Sequence, residues 1–325
     1  MLRHILVGIC AAAAMTAGVA TTALAEDVTY LLPAPLSLPA FGPFVIAKQR
    51  GYFKAEGLNV TFQVGKGGVD VAKQVGAGNA VIGGGIGDTS IIVRPNGVPV
   101  KAVAVLGGGA LMQLVLDKDK GLTTVKDLKG KTVAAQLGAG ASYFWLNYVL
   151  AQNGLKLSDI QAVDMKAGDA GAAFVAGKID AAVTWEPWLS RAKDTPFGQI
   201  LIASDKTPGI IVDSLGFKPD FLKRRGDDVK KIIAAWNEAV QFAAQSPKEA
   251  DAIMAKFTNQ KPEEFTAEKS GVRFYGEKEN KEYFGTPQKP GRLYEVTQRA
   301  ADTWLELKFI KSKPNAADLI DGSYF

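Results

Sequence analysis

The chain alternates short apolar runs with amphipathic stretches, and this alternation limits its possible folds more than any other feature. Val28–Leu32 and Leu58–Val64 have the length and the β-branched or aromatic content of buried strands. The amphipathic stretches carry apolar residues at helical spacing and end at glycine, as Val69–Val75 does before Gly76. Repeated strand and helix units of this kind predict an α/β fold.

The alternation continues through the next part of the chain and then gives way to helices. Further strands are predicted at 80–82, 100–106, 132–136, 160–165, 180–184 and 200–202. Further helices are predicted near 40–50, 88–94, 141–152 and 169–176. In the last third, helices are predicted from Asp227–Asp228, from Ser246–Pro247 and over 291–309.

Residues 1–25 are predicted to be a secretory signal peptide, which places the protein in the periplasm. Arg3 precedes an apolar run from Ile5 to about Val19, and Ala23–Ala25 has the small residues of a cleavage site. A retained membrane anchor is the alternative. Lipidation of Cys10 is rejected because bulky Ile9 precedes it, where a small residue is expected.

Removing these residues also removes the only histidine and the only cysteine, His4 and Cys10, and leaves 37 basic against 33 acidic side chains. Without a thiol or an imidazole, the remaining chain has no cysteine or histidine nucleophile and no Ser-His-Asp triad. Thiolate and imidazole metal sites are excluded for the same reason. We therefore expect no metal, no cofactor and no enzymatic activity.

Nucleotide and nucleic-acid binding are not expected. Lys129–Thr132 resembles the end of a phosphate-binding P-loop, but Val125 stands where the motif requires its first glycine, and no G-x-G-x-x-G occurs. The basic residues Lys223–Arg225 lie close to Asp220 and Asp227–Asp228, which offset their charge. This region is predicted to be a solvated surface.

Three loops of small residues follow predicted strands and open predicted helices: Leu36–Pro39, Gly83–Ser90 and Gly138–Ser142. Glycine allows backbone amides to approach an anion, and the free amides at a helix start carry partial positive charge. Such loops can hold sulfonate, phosphonate, carboxylate or nitrate groups without a basic side chain. Helix capping alone is the alternative for any single loop.

Aromatic and acidic residues lie close to the same loops. The aromatic residues are Tyr143, Trp145, Trp185 and Trp188, and the acidic residues are Asp88, Glu186 and Asp213. A tryptophan in a cleft attracts an ammonium group, and Glu186 could pair with an amine. A ligand with both charges is therefore predicted, although core packing or capping would also explain individual residues.

Several segments resemble the nitrate/sulfonate/taurine family of solute-binding proteins of ABC importers. The main matching segments are 47–60, 125–133 and 177–187, and two later ones are 279–284 and 319–325. The resemblance implies a two-lobed type II periplasmic binding protein fold with two crossover strands and a C-terminal helical segment. One lobe would comprise 26–111 and 214–325, and the other 112–213.

The resemblance also implies where and how a ligand is held. The implied ligand-binding residues are Ser37, Phe41, Asp88, Thr89, Ser142, Tyr143, Trp185, Glu186 and Asp213. Hinge closure around a taurine-like, sulfonate, aminophosphonate or nitrate ligand would present the protein, as a monomer, to a membrane permease and its ATPase. A flat heterocycle such as a thiamine pyrimidine precursor is the alternative ligand. Gly107–Gly109 and Tyr275–Lys278 depart from the family pattern.

Overall fold

A computed structural model describes residues 26–86, 89–137, 140–207, 210–286 and 288–325. The predicted signal peptide, residues 1–25, lies outside the described residues. Strands alternate with helices as far as residue 203, and the chain from residue 219 onward is mainly helical.

The strands are β1 Glu26–Leu32, β2 Leu58–Val64, β3 Ile82–Ile86, β4 Lys101–Gly109, β5 Gln113–Asp117, β6 Thr132–Ala135, β7 Gln161–Asp164, β8 Ala181–Thr184, β9 Gly198–Ala203, β10 Asp213–Phe217 and β11 Val272–Phe274. The helices are α1 Gly42–Arg50, α2 Tyr52–Ala55, α3 Gly68–Ala77, α4 Thr89–Val93, α5 Ala141–Gln152, α6 Ala167–Val175, α7 Trp188–Lys193, α8 Pro219–Gln245, α9 Pro247–Thr258, α10 Pro262–Lys269, α11 Glu277–Phe284, α12 Arg292–Glu306 and α13 Ala316–Leu319. A 3₁₀ turn at Pro39–Phe41 leads into α1.

The strands form two separate sheets. The first sheet has six strands in the order β11-β4-β10-β3-β1-β2, and the second has five in the order β7-β6-β8-β5-β9. The chain leaves the first sheet between β4 and β5 and returns between β9 and β10, where β10 inserts antiparallel between β3 and β4. These two crossings confirm the predicted α/β architecture.

The two crossings lie side by side and are joined by one buried serine. The hydroxyl of Ser204 donates a hydrogen bond to the carbonyl of Gly109 at 2.6 Å and accepts one from the amide of Met112 at 3.2 Å. The amide of Ser204 donates to the carbonyl of Met112 at 2.8 Å. Two hydrogen-bonded segments of the chain therefore connect the sheets.

The glycines at the first crossing allow close pairing with β11. Gly107–Gly109 pairs antiparallel with β11, and a side-chain carbon at Gly108 would lie 2.5 Å from the hydroxyl of Tyr275. At Gly109, φ is +91° and such a carbon would lie 2.4 Å from the carbonyl oxygen of Gly271. The two departures from the family pattern, Gly107–Gly109 and Tyr275–Lys278, therefore meet in space.

Replacing Gly109 by alanine is expected to lower the free energy of unfolding by about 2–3 kcal/mol, because the new carbon combines a left-handed backbone with a steric clash. Gly121→Ala is the matched control, since Gly121 also has positive φ but has open space around it. We expect the control to cost about 1 kcal/mol. Urea unfolding of both variants measures the difference, and equal losses would contradict the role assigned to β11.

Two predictions about local structure were wrong. A helix does begin close to Asp227–Asp228, since the backbone of α8 is non-helical at Arg225, but an earlier helical piece that was not predicted precedes it from Pro219, whose fixed φ suits a first helical turn. Asp228 is buried and accepts a hydrogen bond from Arg225 at 2.5 Å instead of capping a helix. Gly83–Ile86, predicted as part of a loop, belongs to strand β3, which pairs with β10 inside the first sheet.

The C-terminal helices contact the elements of both sheets. The indole of Trp304 on α12 stacks on the rings of Tyr143 and Phe144 of α5, with centroids 5.9 and 5.4 Å away. α12 also packs on α4, and Ile320 pairs with Ala102 of β4. One hydrophobic cluster consequently includes residues from β4, β5, β6 and α12.

Candidate functional site

A cavity of about 120 Å³ lies between the two sheets. Its volume is close to that of an engineered cavity of about 150 Å³ that holds benzene, so it suits a small solute. Most of its described lining is apolar, and the apolar residues are Pro33, Ala34, Leu38, Pro39, Ala40, Phe41, Val69, Ala110, Leu111, Met112, Ala141, Trp185, Ile211 and Val272. Polar groups are few, as in most binding pockets for small molecules.

Helix N-termini from both sides line this cavity. The start of α3 contributes Gly67–Gly68, the start of α5 contributes Gly140–Ser142, and the turn before α1 contributes Pro39–Phe41. Each follows a strand, so the loops lie at the carboxyl edges of the sheets, where α/β proteins bind ligands. A side-chain carbon at Gly68 would lie 2.7 Å from the Thr89 hydroxyl, so a larger residue at the start of α3 would require Thr89 to move.

The loop before α3 was not predicted to bind a ligand, although its sequence carries the same signal as the predicted loops. Gly65–Gly68 follows the predicted strand Leu58–Val64 and opens the predicted helix, as the three chosen loops do. Gln136, which follows β6, and Glu268 on α10 line the cavity and were not predicted either. No local sequence pattern marks Glu268 as a site residue, and its helix, α10, was not predicted.

Six of the nine predicted site residues line the cavity: Phe41, Thr89, Ser142, Trp185, Glu186 and Asp213. Ser37 lines a neighbouring groove, which we call the outer groove and which shares Leu38, Pro39, Glu186 and Glu268 with the cavity. Asp88 lies outside the described residues, as do Gly138 and Ala139. That these residues contact ligand remains a prediction.

The structure places Tyr143 outside the cavity. Tyr143 is the next residue after Ser142 on α5, and the 100° turn between successive helical residues directs its ring toward Trp304 and Phe309. Trp145 is fully buried and donates a hydrogen bond from its indole nitrogen to the Thr207 hydroxyl at 2.8 Å. Both rings therefore belong to the hydrophobic core.

Trp185 joins the two sides of the cavity. It follows β8 of the second sheet and packs against the hydrophobic clusters of both sheets. The two sides also approach each other at Gly67, where an added side-chain carbon would lie 3.4 Å from the side-chain nitrogen of Gln136. The two sides are therefore in contact around the cavity, not held apart by an open cleft.

Carboxylates outnumber cations among the described lining residues. Lys66 is the one basic side chain and is exposed, whereas Glu186, Asp213 and Glu268 are all partly shielded from solvent. The Glu186 carboxylate accepts a hydrogen bond from the amide of Ser190 at 3.0 Å. Burial raises the pKa of Glu186 and, more strongly, raises the pKa of Asp213 to about 7.

Stability is expected to fall as pH rises from about 4 to about 7, because folded Asp213 keeps its proton up to a pKa of about 7 whereas the unfolded chain releases it near 3.8. One such group changes the free energy of unfolding by at most about 1.4 kcal/mol per pH unit. Asp213→Asn should flatten the profile measured by urea unfolding, leaving the smaller slope due to Glu186. A variant as pH-dependent as the wild type would contradict the assignment.

In the part of the chain that the structure describes, no three or more histidine, cysteine, aspartate or glutamate side chains come together in a group that could hold a metal ion. None of the helices in that part combines the length and apolar character that a bilayer-spanning segment needs.

Comparison with known proteins places this geometry in a family. The model of the NMT1/THI5-like family matches residues 38–250. A putative binding protein from Brucella abortus (strain 2308) is 27% identical over 219 residues, which are 65% of this chain and 66% of that protein. A putative aliphatic sulfonates-binding protein from Escherichia coli (strain K12) is 31% identical over 145 residues, 44% of each chain.

Among solved structures, the alkanesulfonate-binding protein SsuA from Xanthomonas axonopodis pv. citri, bound to MOPS, superposes with a TM-score of 0.76 at 18% identity. The superposition covers 93% of this chain and 100% of that one. It confirms the predicted periplasmic binding protein fold. Because the family model matches more than half of its residues, the chain belongs to the NMT1/THI5-like family.

Proposed function

We propose that the protein is the periplasmic solute-binding component of an ABC importer and captures a small sulfonate-like acid. Aminosulfonates such as taurine are the first candidates, followed by other aliphatic sulfonates, aminophosphonates and nitrate. The observation that carries this proposal is that helix N-termini from both sheets line one cavity. The sulfonate-binding names of two similar proteins support it.

The acidic group of the ligand would bind at the starts of α3 and α5. Backbone amides at these positions lack partners within their own helices, and the helix dipoles add partial positive charge. The hydroxyls of Thr89 and Ser142 also line the cavity and can donate further hydrogen bonds. Lys66 supplies a full positive charge at the edge.

An amine on the ligand would bind at the carboxylates that line the cavity. Glu186 and Asp213 supply these carboxylates, and the faces of Trp185 and Phe41 attract a cation. MOPS, which is bound to the similar Xanthomonas protein, combines a sulfonate with a ring amine. We therefore expect a ligand with both charges to use both the helix N-termini and the carboxylates.

Capture would occur by rotation of the two lobes about the paired crossings. Ligand binding across the cleft stabilises the closed arrangement, which a membrane permease and its ATPase then read. The protein would act as a monomer after removal of residues 1–25. It would transport its ligand without changing it.

Isothermal titration of the mature chain, residues 26–325, with taurine, ethanesulfonate and nitrate tests the proposal. Thermal unfolding provides a second readout, because a ligand at a hundred times its Kd stabilises by about 2.7 kcal/mol. An uncharged sugar serves as the control for nonspecific effects. The absence of heat and of stabilisation with all three anions would refute the proposed ligand class.

A flat heterocycle is the second candidate, and the apolar lining with Trp185 and Phe41 favours it. Quenching of tryptophan fluorescence by pyrimidines, and not by sulfonates, would support this ligand over the first. An enzymatic reaction of the thiamine-pyrimidine type would need a histidine, and residues 26–325 contain none. Formation of a product from a pyrimidine precursor by the purified protein would overturn that conclusion.

A further inference from the structure

We propose that Glu268 of α10 determines ligand specificity, because it faces Glu186 across the mouth of the cavity and makes closure depend on a positively charged ligand group. The inference rests on the proposed function and assigns a role to a residue of the last third of the chain. Glu268 would select the ligands that allow the cleft to close, and not only the ligands that enter it.

Glu186 and Glu268 come from opposite sides of the cleft. Glu186 follows β8 of the second sheet, whereas α10 packs on α9 and on the turn before α1, and its Phe265 belongs to the hydrophobic cluster of the first sheet. Both glutamates line the cavity and also the outer groove. They therefore lie at the boundary between the two spaces.

Each carboxylate is held by its own side of the cleft. Glu268 accepts a hydrogen bond from the side-chain nitrogen of Gln260 at 2.7 Å, and Gln260 accepts one from the Thr258 hydroxyl at 2.5 Å. Glu186 is held by the amide of Ser190 at 3.0 Å. These bonds fix both charges in place, so neither side chain can simply turn away as the two sides approach.

The two glutamates carry like charges and line the same two spaces, so they repel each other. Burial raises the pKa of Glu186 most, and hydrogen bonds from Ser190 lower it. The charge of Glu268 raises this pKa by a smaller amount, which is still larger than the amount by which Lys193 of the outer groove lowers it. Lys193 and its neighbour Arg191 are exposed, so solvent screens them. The repulsion between the partly shielded carboxylates is therefore incompletely offset by the protein itself.

A ligand ammonium group between the two carboxylates changes the sign of this interaction. It attracts both glutamates and so favours the closed cleft, whereas a sulfonate without an amine leaves their repulsion in place. A ligand shifts a conformational equilibrium only by its difference in affinity for the two states. Discrimination between taurine and ethanesulfonate would therefore arise largely from closure.

Titration of the wild type and Glu268→Gln with taurine and with ethanesulfonate tests this inference. We expect Glu268→Gln to bind taurine at least tenfold more weakly and to bind ethanesulfonate as well as, or better than, the wild type. Small-angle scattering should show that taurine closes the wild type and closes Glu268→Gln less completely. The matched control is Glu263→Gln, because Glu263 is exposed on the first turn of α10 and lines neither space.

Glu268→Asp provides a second variant, since it keeps the charge but shortens its reach, and we expect an intermediate loss of taurine affinity. Equal losses for taurine and ethanesulfonate in Glu268→Gln would indicate a merely structural role and overturn the inference. Unchanged taurine binding in Glu268→Gln would overturn this inference and leave the proposed function standing. A wild type that binds neither compound would instead refute the proposed function, and this inference with it.

Discussion

Trp304→Ala is expected to lower the free energy of unfolding by about 3–5 kcal/mol, the range seen when a large buried aromatic side chain is removed. The side chain of Trp304 is fully buried and contacts the rings of Tyr143, Phe144 and Phe309. Its removal would leave a cavity between α12 and α5 that the surrounding rings cannot fill. Urea unfolding followed by circular dichroism measures the loss.

Leu305→Ala is the matched control for this prediction. Leu305 is the next residue on α12 but is 39% exposed, so its truncation should cost no more than about 0.5 kcal/mol. The contrast separates packing across the two sheets from a general effect on the helix. Similar losses in the free energy of unfolding of the two variants would show that the stack of Trp304 on α5 does not specifically stabilise α12.

Trp185→Ala is expected to weaken binding of taurine by roughly 30-fold or more, which corresponds to the loss of about 2 kcal/mol from a central aromatic contact. The side chain lines the cavity and packs on both hydrophobic clusters, so its removal takes away ligand contact and contact between the two sides. Isothermal titration of the variant measures the effect.

Trp188→Ala controls for the loss of a tryptophan in the same segment. Trp188 packs against Gly171 and lies 4.6 Å from the Arg191 guanidinium, and it is not part of the cavity lining. We expect less than a threefold change in its affinity for taurine, and partial recovery of binding in Trp185→Phe. Comparable losses at Trp185 and Trp188 would argue against a direct role for Trp185.

Local patterns predicted much of the fold because they report local forces. The predicted bounds of β2 and α5 are those of the structure, since strand alternation and helical spacing are set by nearby residues. The glycines of β3 have no such pattern. Their place in the sheet depends on Val71, Val75 and Tyr30, whose side chains fill the space that side chains at Gly83 and Gly84 would need.

The parts of the candidate site that directly follow strands were predictable. The parts that depend on contacts between residues far apart in the sequence were not. Ser142 and Tyr143 look equivalent in sequence, yet only the direction of each side chain on α5 places one in the cavity and the other in the core. Glu268 enters the site from α10 because α10 packs on the turn before α1, more than two hundred residues earlier. No local feature of residues 262–269 indicates that contact.

The stack of α12 on both α4 and α5 has a consequence for dividing the chain. Production of residues 112–213 as an isolated fragment would expose Tyr143 and Phe144, on which Trp304 of α12 stacks in the intact protein. Such a fragment would present a large apolar patch and aggregate. The cover of α5 therefore comes from a helix more than a hundred residues later in the chain.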